Sequence, residues 1–266
     1  MENKKKGMSA RQMKILLILA VAVLVAVEVA YRVALKDVYL GDRIYNTAMR
    51  FVGGAVCVIF MLDFSFSTVM RPLGNRSLSA VVAMIPAFAV AVNNFPFVSF
   101  IAGDCSITVK PLELALYALF CLSVGFFEEM AFRGCVLMIL LKNRTKSKGQ
   151  IFLAIFLSSA VFGLIHLVNL FAASPGAVFL QIGYSALIGA MCSLVLLTTK
   201  NIWLCVILHA VYNFAGGVIP ELGAGRIWTV PEVVLTAVLG VAVTAYSFWY
   251  FFSKMPVDKA DELYEG

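Results

Sequence analysis

The chain has 266 residues, 62% of them hydrophobic and 14% charged. Soluble domains are about 45–50% apolar and about 25% charged, so this composition excludes an ordinary soluble fold and marks a polytopic membrane protein. The net charge of +6 does not point to nucleic acid, because most basic residues flank apolar runs, where they set topology.

Lys4, Lys5 and Lys6 precede an apolar run from Ile15 to Ala30 that continues past Glu28 to about Leu35. That run is longer than a signal-peptide core, so it reads as a retained first helix, with Glu28 and Arg32 spaced to pair on one face. Hydropathy predicts eight spans, near 14–35, 49–70, 78–102, 111–141, 150–172, 177–198, 202–219 and 230–252. With the N-terminus inside, the inner segments hold 14 of the 21 Lys plus Arg. The outer loops hold Lys36, Arg43, Lys110, Arg226 and, at a span boundary, Arg50. This alternation follows the positive-inside rule and puts both termini in the cytoplasm.

Asp63 reads as an interfacial end to the second span. Pro86, Asn93, Asn94 and Pro96 interrupt the third, which is expected to stop early and turn at the interface. The fourth, Pro111 to Leu141, exceeds the roughly 30 Å hydrocarbon core and must tilt, kink or emerge. Small residues from Gly183 to Ala190 in the sixth predict close helix packing. Trp228 and Phe248 to Phe252 around the eighth read as an interfacial aromatic belt. The acidic tail, Asp258 to Gly266, is expected to be mobile. Six cysteines stand singly, without CxxC, and predict neither a disulfide framework nor a cysteine metal site. There is no internal repeat of the kind found in many transporters.

The fourth span carries Glu128, Glu129 and Arg133 inside its apolar run. A charge at the centre of a membrane helix costs at least about 2.5–3.5 kcal/mol on insertion scales, which makes three of them a functional signal. On a helix, Glu129 and Arg133 share a face in the favourable acid-first order, while Glu128 points about 100° away and gains no such partner. Glu129 therefore reads as neutralised scaffold and Glu128 as a carboxylate free for chemistry. Both histidines, His166 and His209, also lie in apolar spans, and Asn213 shares a helix face with His209. Neither Ser158 nor Ser159 carries an activating motif, and there is no second free acid for an aspartyl-type dyad. One carboxylate, two imidazoles and a carboxamide suggest water activation: Glu128 as general base, His209 and Asn213 on the oxyanion, His166 holding the water. Glu128, His166 and His209 are also a set that zinc accepts, although no HExxH supports it.

Taken in order, EExxxR (Glu128, Glu129, Arg133), FxxxH (Phe162, His166) and HxxxN (His209, Asn213) resemble the CPBP family. These are the CAAX-type and bacteriocin-processing intramembrane endopeptidases, also called Abi proteins. The resemblance covers about 113–218. It implies that Glu128 activates water, that His166, His209 and Asn213 complete the site, and that Glu129 and Arg133 are structural, with Phe162 supporting them.

The expected fold is an all-α polytopic membrane helix bundle of about eight transmembrane helices. A single membrane domain, 1–266, would contain a catalytic core at 113–218, accessory helices at 1–110 and 220–253, and a cytoplasmic tail at 254–266. The expected function is hydrolysis of a peptide bond in a membrane-associated, lipidated or leader-type substrate. The alternatives are a non-catalytic immunity or scaffold protein of the same fold and a proton-coupled transporter. No cofactor is assigned, and a divalent metal such as zinc is left open. The expected partners are a peptide or protein at the membrane and the bilayer itself, with no nucleic acid. The expected location is the cell membrane of a prokaryote.

Overall fold

The computed structural model describes residues 12, 15, 19, 22, 23, 26–35, 37–71, 78–142, 147–171 and 173–264. Part of the first expected span, and the side chain of Arg32 in its expected pair with Glu28, lie outside them. Glu28 accepts a hydrogen bond from the Tyr45 hydroxyl at 2.6 Å.

The helices, in order, are α1 (Gly41–Asp63), α2 (Leu78–Ala83), α3 (Ile85–Asn93), α4 (Phe97–Ile101), α5 (Pro111–Glu129), α6 (Met138–Lys142), α7 (Lys148–Leu164), α8 (Pro175–Thr199), α9 (Ile202–Leu222) and α10 (Val230–Ser253). A π-helix, Met130–Leu137, joins α5 to α6 without a break, and a 3-10 helix, Ile165–Phe171, follows α7. Two short strands, β1 (Cys105–Ile107) and β2 (Gly223–Gly225), pair antiparallel and were not foreseen. The chain is an all-α polytopic bundle.

The helix starts follow local rules. Pro111 opens α5 and Pro175 opens α8, where a missing N–H costs nothing. Ser147, Ser174 and Asn201 each accept a backbone N–H from the first turn of α7, α8 and α9. Among the described residues, five helices are long and apolar enough to cross a membrane: 41–63, 148–171, 175–199, 202–222 and 230–253. The expected third span is broken into α2, α3 and α4, with the turn after Asn93 where the asparagines and Pro96 predict it.

Three expectations need correction. The second span begins at Gly41, eight residues before the expected 49, so Arg43 and Arg50 lie within a helix and not in a loop. Arg43 tolerates this because its Nη2 reaches Glu221 at 3.1 Å and its guanidinium lies 5.0 Å from the Tyr117 ring centre. The acidic tail is docked: Ala260 and Leu263 are fully buried, and the Tyr264 hydroxyl donates to the Met138 carbonyl. In the aromatic cluster of α10, Phe251 is buried against Phe152, while Phe248, Trp249 and Phe252 remain exposed as a belt would be.

The core centres on the end of the bundle where α1, α6 and α8 finish and α7 begins, and there Met61, Met130, Leu137, Leu141, Ile151, Leu196 and Leu197 are all fully buried. α5 is sandwiched between α1 and α9, and α7 packs on α8. At Gly125 a Cβ would come within 2.7 Å of the Val206 carbonyl of α9. That close approach brings the His209 turn of α9 against the Glu128 turn of α5.

Candidate active site

Glu128 and Glu129 end α5, and Arg133 sits inside the π-helix that follows. Single π turns inside α-helices often occur at functional sites. Arg133 Nη1 bonds Glu129 Oε1 at 3.0 Å, with both side chains fully buried. The pairing expected from the spacing is therefore present. The Arg133 guanidinium also lies 4.5 Å from the Phe162 ring centre, a cation–π contact strengthened by desolvation. Its room comes from Gly189 of α8, where a Cβ would stand 2.6 Å from Arg133 Nη2.

His209, brought in by α9, lies between the two glutamates. Its Nδ1 is 2.7 Å from Glu129 Oε1 and its Nε2 is 3.4 Å from Glu128 Oε2. One oxygen of Glu129 thus receives both Arg133 and His209. With Glu129 ionised against Arg133, Nδ1 carries a hydrogen and donates it. Nε2 is then left to share a proton with Glu128. The His209 side chain is 4% exposed and that of Glu128 is 21% exposed, so only the outer carboxylate of this chain can meet a substrate.

Phe162 supports the arrangement from α7. Its ring meets His209 edge-on at 5.7 Å and His166 edge-on at 5.4 Å between ring centres. His166 is not within α7, as expected, but in the 3-10 helix after it. Its Nδ1 donates to the Phe162 carbonyl at 2.9 Å, which leaves Nε2 as the free acceptor. Among the described residues, His166 forms no hydrogen bond with Glu128. Asn213 is half-buried one turn beyond His209, and orientation of the imidazole falls to Glu129 rather than to this amide.

Glu129 is therefore more than neutralised scaffold. Its bond to His209 crosses 80 residues of sequence and carries no local signal, although its burial beside Arg133 marks it as a group that needs every partner it can find. Glu128 and His209 converge, but among the described residues no group of three or more His, Cys, Asp or Glu side chains is arranged to hold a metal ion. The set Glu128, His166 and His209 does not assemble as a three-ligand centre.

Residues 110–215 match the family model described as Rce1-like, type II CAAX prenyl endopeptidase. That match covers less than half of the chain and is a likeness to the CPBP, or CAAX-protease, family. The matched region runs from the start of α5 through most of α9 and contains Glu128, Glu129, Arg133, Phe162, His166, His209 and Asn213. No curated protein matches the chain, and no solved structure does. That family is one of proteases, and the apolar helices make this chain an integral membrane protein.

Proposed function

We propose that the protein is an intramembrane endopeptidase that cleaves a membrane-associated, lipidated or leader-type peptide with water activated by Glu128. The observation that carries this reading is the carboxylate–imidazole–carboxylate chain, in which His209 lies 2.7 Å from Glu129 and 3.4 Å from Glu128. A water at Glu128 loses a proton to the carboxylate as its oxygen attacks the peptide carbonyl. His209, held in one orientation by Glu129, and the amide of Asn213 face the negative charge that develops on the carbonyl oxygen. Collapse of the adduct breaks the C–N bond, and the proton held by Glu128 passes to the leaving amine. His166 presents its Nε2 to the water. The 113–218 segment is the catalytic core, the remaining helices are accessory, and both termini face the cytoplasm of a prokaryotic cell.

The test is cleavage of a lipidated peptide by purified protein. Glu128→Gln keeps size and polarity but removes the base, and a general base typically contributes about 10²–10⁴-fold. Full activity in this variant would remove the mechanism. A phenotype that needs the protein but not Glu128 or His209 would favour the scaffold alternative.

A further inference from the structure

α10 packs chiefly against α3, and between it and α7 and α8 runs a groove of about 200 Å³. Ile155 of α7, Ile188, Met191 and Leu194 of α8, and Val243 and Phe251 of α10 line it, and no charged residue does. A cavity with such walls stays dry and takes apolar ligands. Leu187 and Phe248 on its rim are 60% and 50% exposed, so the groove opens sideways to what surrounds the helices. In a membrane protein that is the acyl chains of the bilayer. Tyr184 and Tyr212, with ring centres 6.3 Å apart, close the far end beside Gly240, where nothing lies within 4 Å of an added Cβ. From Gly240 to Phe251, α10 rises about 16 Å at 1.5 Å per residue, close to half of the roughly 30 Å hydrocarbon core. The groove therefore has the length of one leaflet's chain.

Such walls do not choose among lipids, because every lipid tail is as apolar as leucine. Selection has to come from the headgroup, and the near end of the groove supplies charge for it. Phe152, Phe248 and Phe251 form the rim there, their rings in one cluster. Lys148 opens α7 one turn before Phe152, and Lys254 follows the last residue of α10. The Lys148 ammonium donates to the Phe252 carbonyl, and that of Lys254 lies 5.6 Å from the Trp249 ring centre. Both cations are thus drawn to the last turn of α10. An ammonium has three donors, so Lys148 keeps two and Lys254 keeps all three. Lys200 and Lys259 pair with Glu262, whereas among the described residues no carboxylate lies within ion-pair distance of Lys148 or Lys254. Two unpaired cations beyond an aromatic rim, at the end of an apolar groove one leaflet long, complement a phosphate that carries acyl chains.

We propose that this groove is a binding site for an anionic glycerophospholipid, with one acyl chain lying between α7, α8 and α10 and the phosphate held by Lys148 and Lys254. Neither Glu128 nor His209 lines the groove, and the inference stands apart from the endopeptidase reading.

The test is native mass spectrometry of the full chain, released from nanodiscs that contain phosphatidylglycerol and phosphatidylcholine in equal amounts and with the same acyl chains. The unaltered chain should retain phosphatidylglycerol about tenfold over phosphatidylcholine, the order expected of two lysines at a membrane surface. Lys148→Gln combined with Lys254→Gln should bring the two lipids to parity, and the corresponding pair of Arg replacements should keep the preference. Gly240→Leu fills the groove from a position with open space around it, and should lower retention of both lipids. A thermal melt of each variant shows that it is folded. Equal retention of the two lipids by the unaltered chain overturns the proposal whether or not any variant folds. A preference that survives the paired Gln replacements puts the headgroup elsewhere and overturns it, and so does lipid retention that Gly240→Leu leaves unchanged. A farnesylated peptide added to the nanodiscs, or a second copy of the chain, bound in place of lipid and lost on Gly240→Leu, would assign the groove to that occupant instead.

Discussion

Oε1 of Glu129 receives His209 Nδ1 at 2.7 Å and Arg133 Nη1 at 3.0 Å, and none of the three side chains is more than 4% exposed. The second acid of the motif thereby joins a stability element to the orientation of an imidazole. Its other oxygen, Oε2, and Nε and Nη2 of Arg133 are buried without a hydrogen-bond partner among the described residues. The face of Phe162 offsets part of that cost.

Glu129→Gln should therefore harm both fold and activity. Breaking a buried pair by removing one partner costs about 3–5 kcal/mol, because the remaining charge is left uncompensated. The amide keeps one acceptor oxygen but not its charge, and its NH2 can face the ring in place of that oxygen, so the imidazole's tautomer is no longer fixed, a change worth about 10–100-fold or more in comparable sites. Glu129→Asp separates the two effects. The shorter acid keeps the charge beside Arg133 but retracts from Nδ1, so peptide cleavage should fall much further than thermal stability. Equal loss in both measurements would show that Glu129 serves the fold alone.

The chemistry-bearing residues were legible because each motif is local. EExxxR encodes its own ion pair through helix spacing, and the structure has Glu129 and Arg133 bonded. The partner of Glu128 was legible only as a residue type, since His209 arrives from a helix 80 residues on. Span boundaries failed where charge looked like loop. Arg43 and Arg50 argued against a helix beginning at Gly41, but Glu221, Tyr117 and Phe120 meet them there. The π-helix at 130–137 has no residue signature that separates it from an α-helix. The tail misled because its composition is acidic, while its few apolar residues do the packing.

Gly125 sets the distance between the two helices that build the site. A Cβ there would stand 2.7 Å from the Val206 carbonyl and 3.1 Å from the Ala210 nitrogen, and neither backbone atom can swing aside. Gly125→Ala should push α9 outward, cost about 1–3 kcal/mol as overpacking does, and lengthen the His209–Glu128 contact. The readouts are the thermal midpoint in detergent and kcat, both of which should fall. Gly183→Ala on α8 is the control, because nothing lies within 4 Å of its added methyl. It should be neutral, or slightly stabilising through helix propensity. A neutral Gly125→Ala would mean that the two helices have slack.

The C-terminal tail closes one end of the bundle. Leu263 is fully buried, the Tyr264 ring packs against Phe66 at 5.8 Å between centres, and Lys200 pairs with Glu262. Leu263→Ala should cost about 2–5 kcal/mol, the range for truncating a buried leucine. Glu262→Gln should cost far less, because both members of its pair with Lys200 are partly exposed and such pairs contribute about 0–1 kcal/mol. The order of the two effects decides between a packed tail and one held by charge. Thermal unfolding of both variants in nanodiscs, repeated at high salt, measures it: apolar docking leaves the Leu263→Ala deficit intact when salt screens the surface pairs. A salt-sensitive tail, with Glu262→Gln the more harmful change, would overturn the packing account.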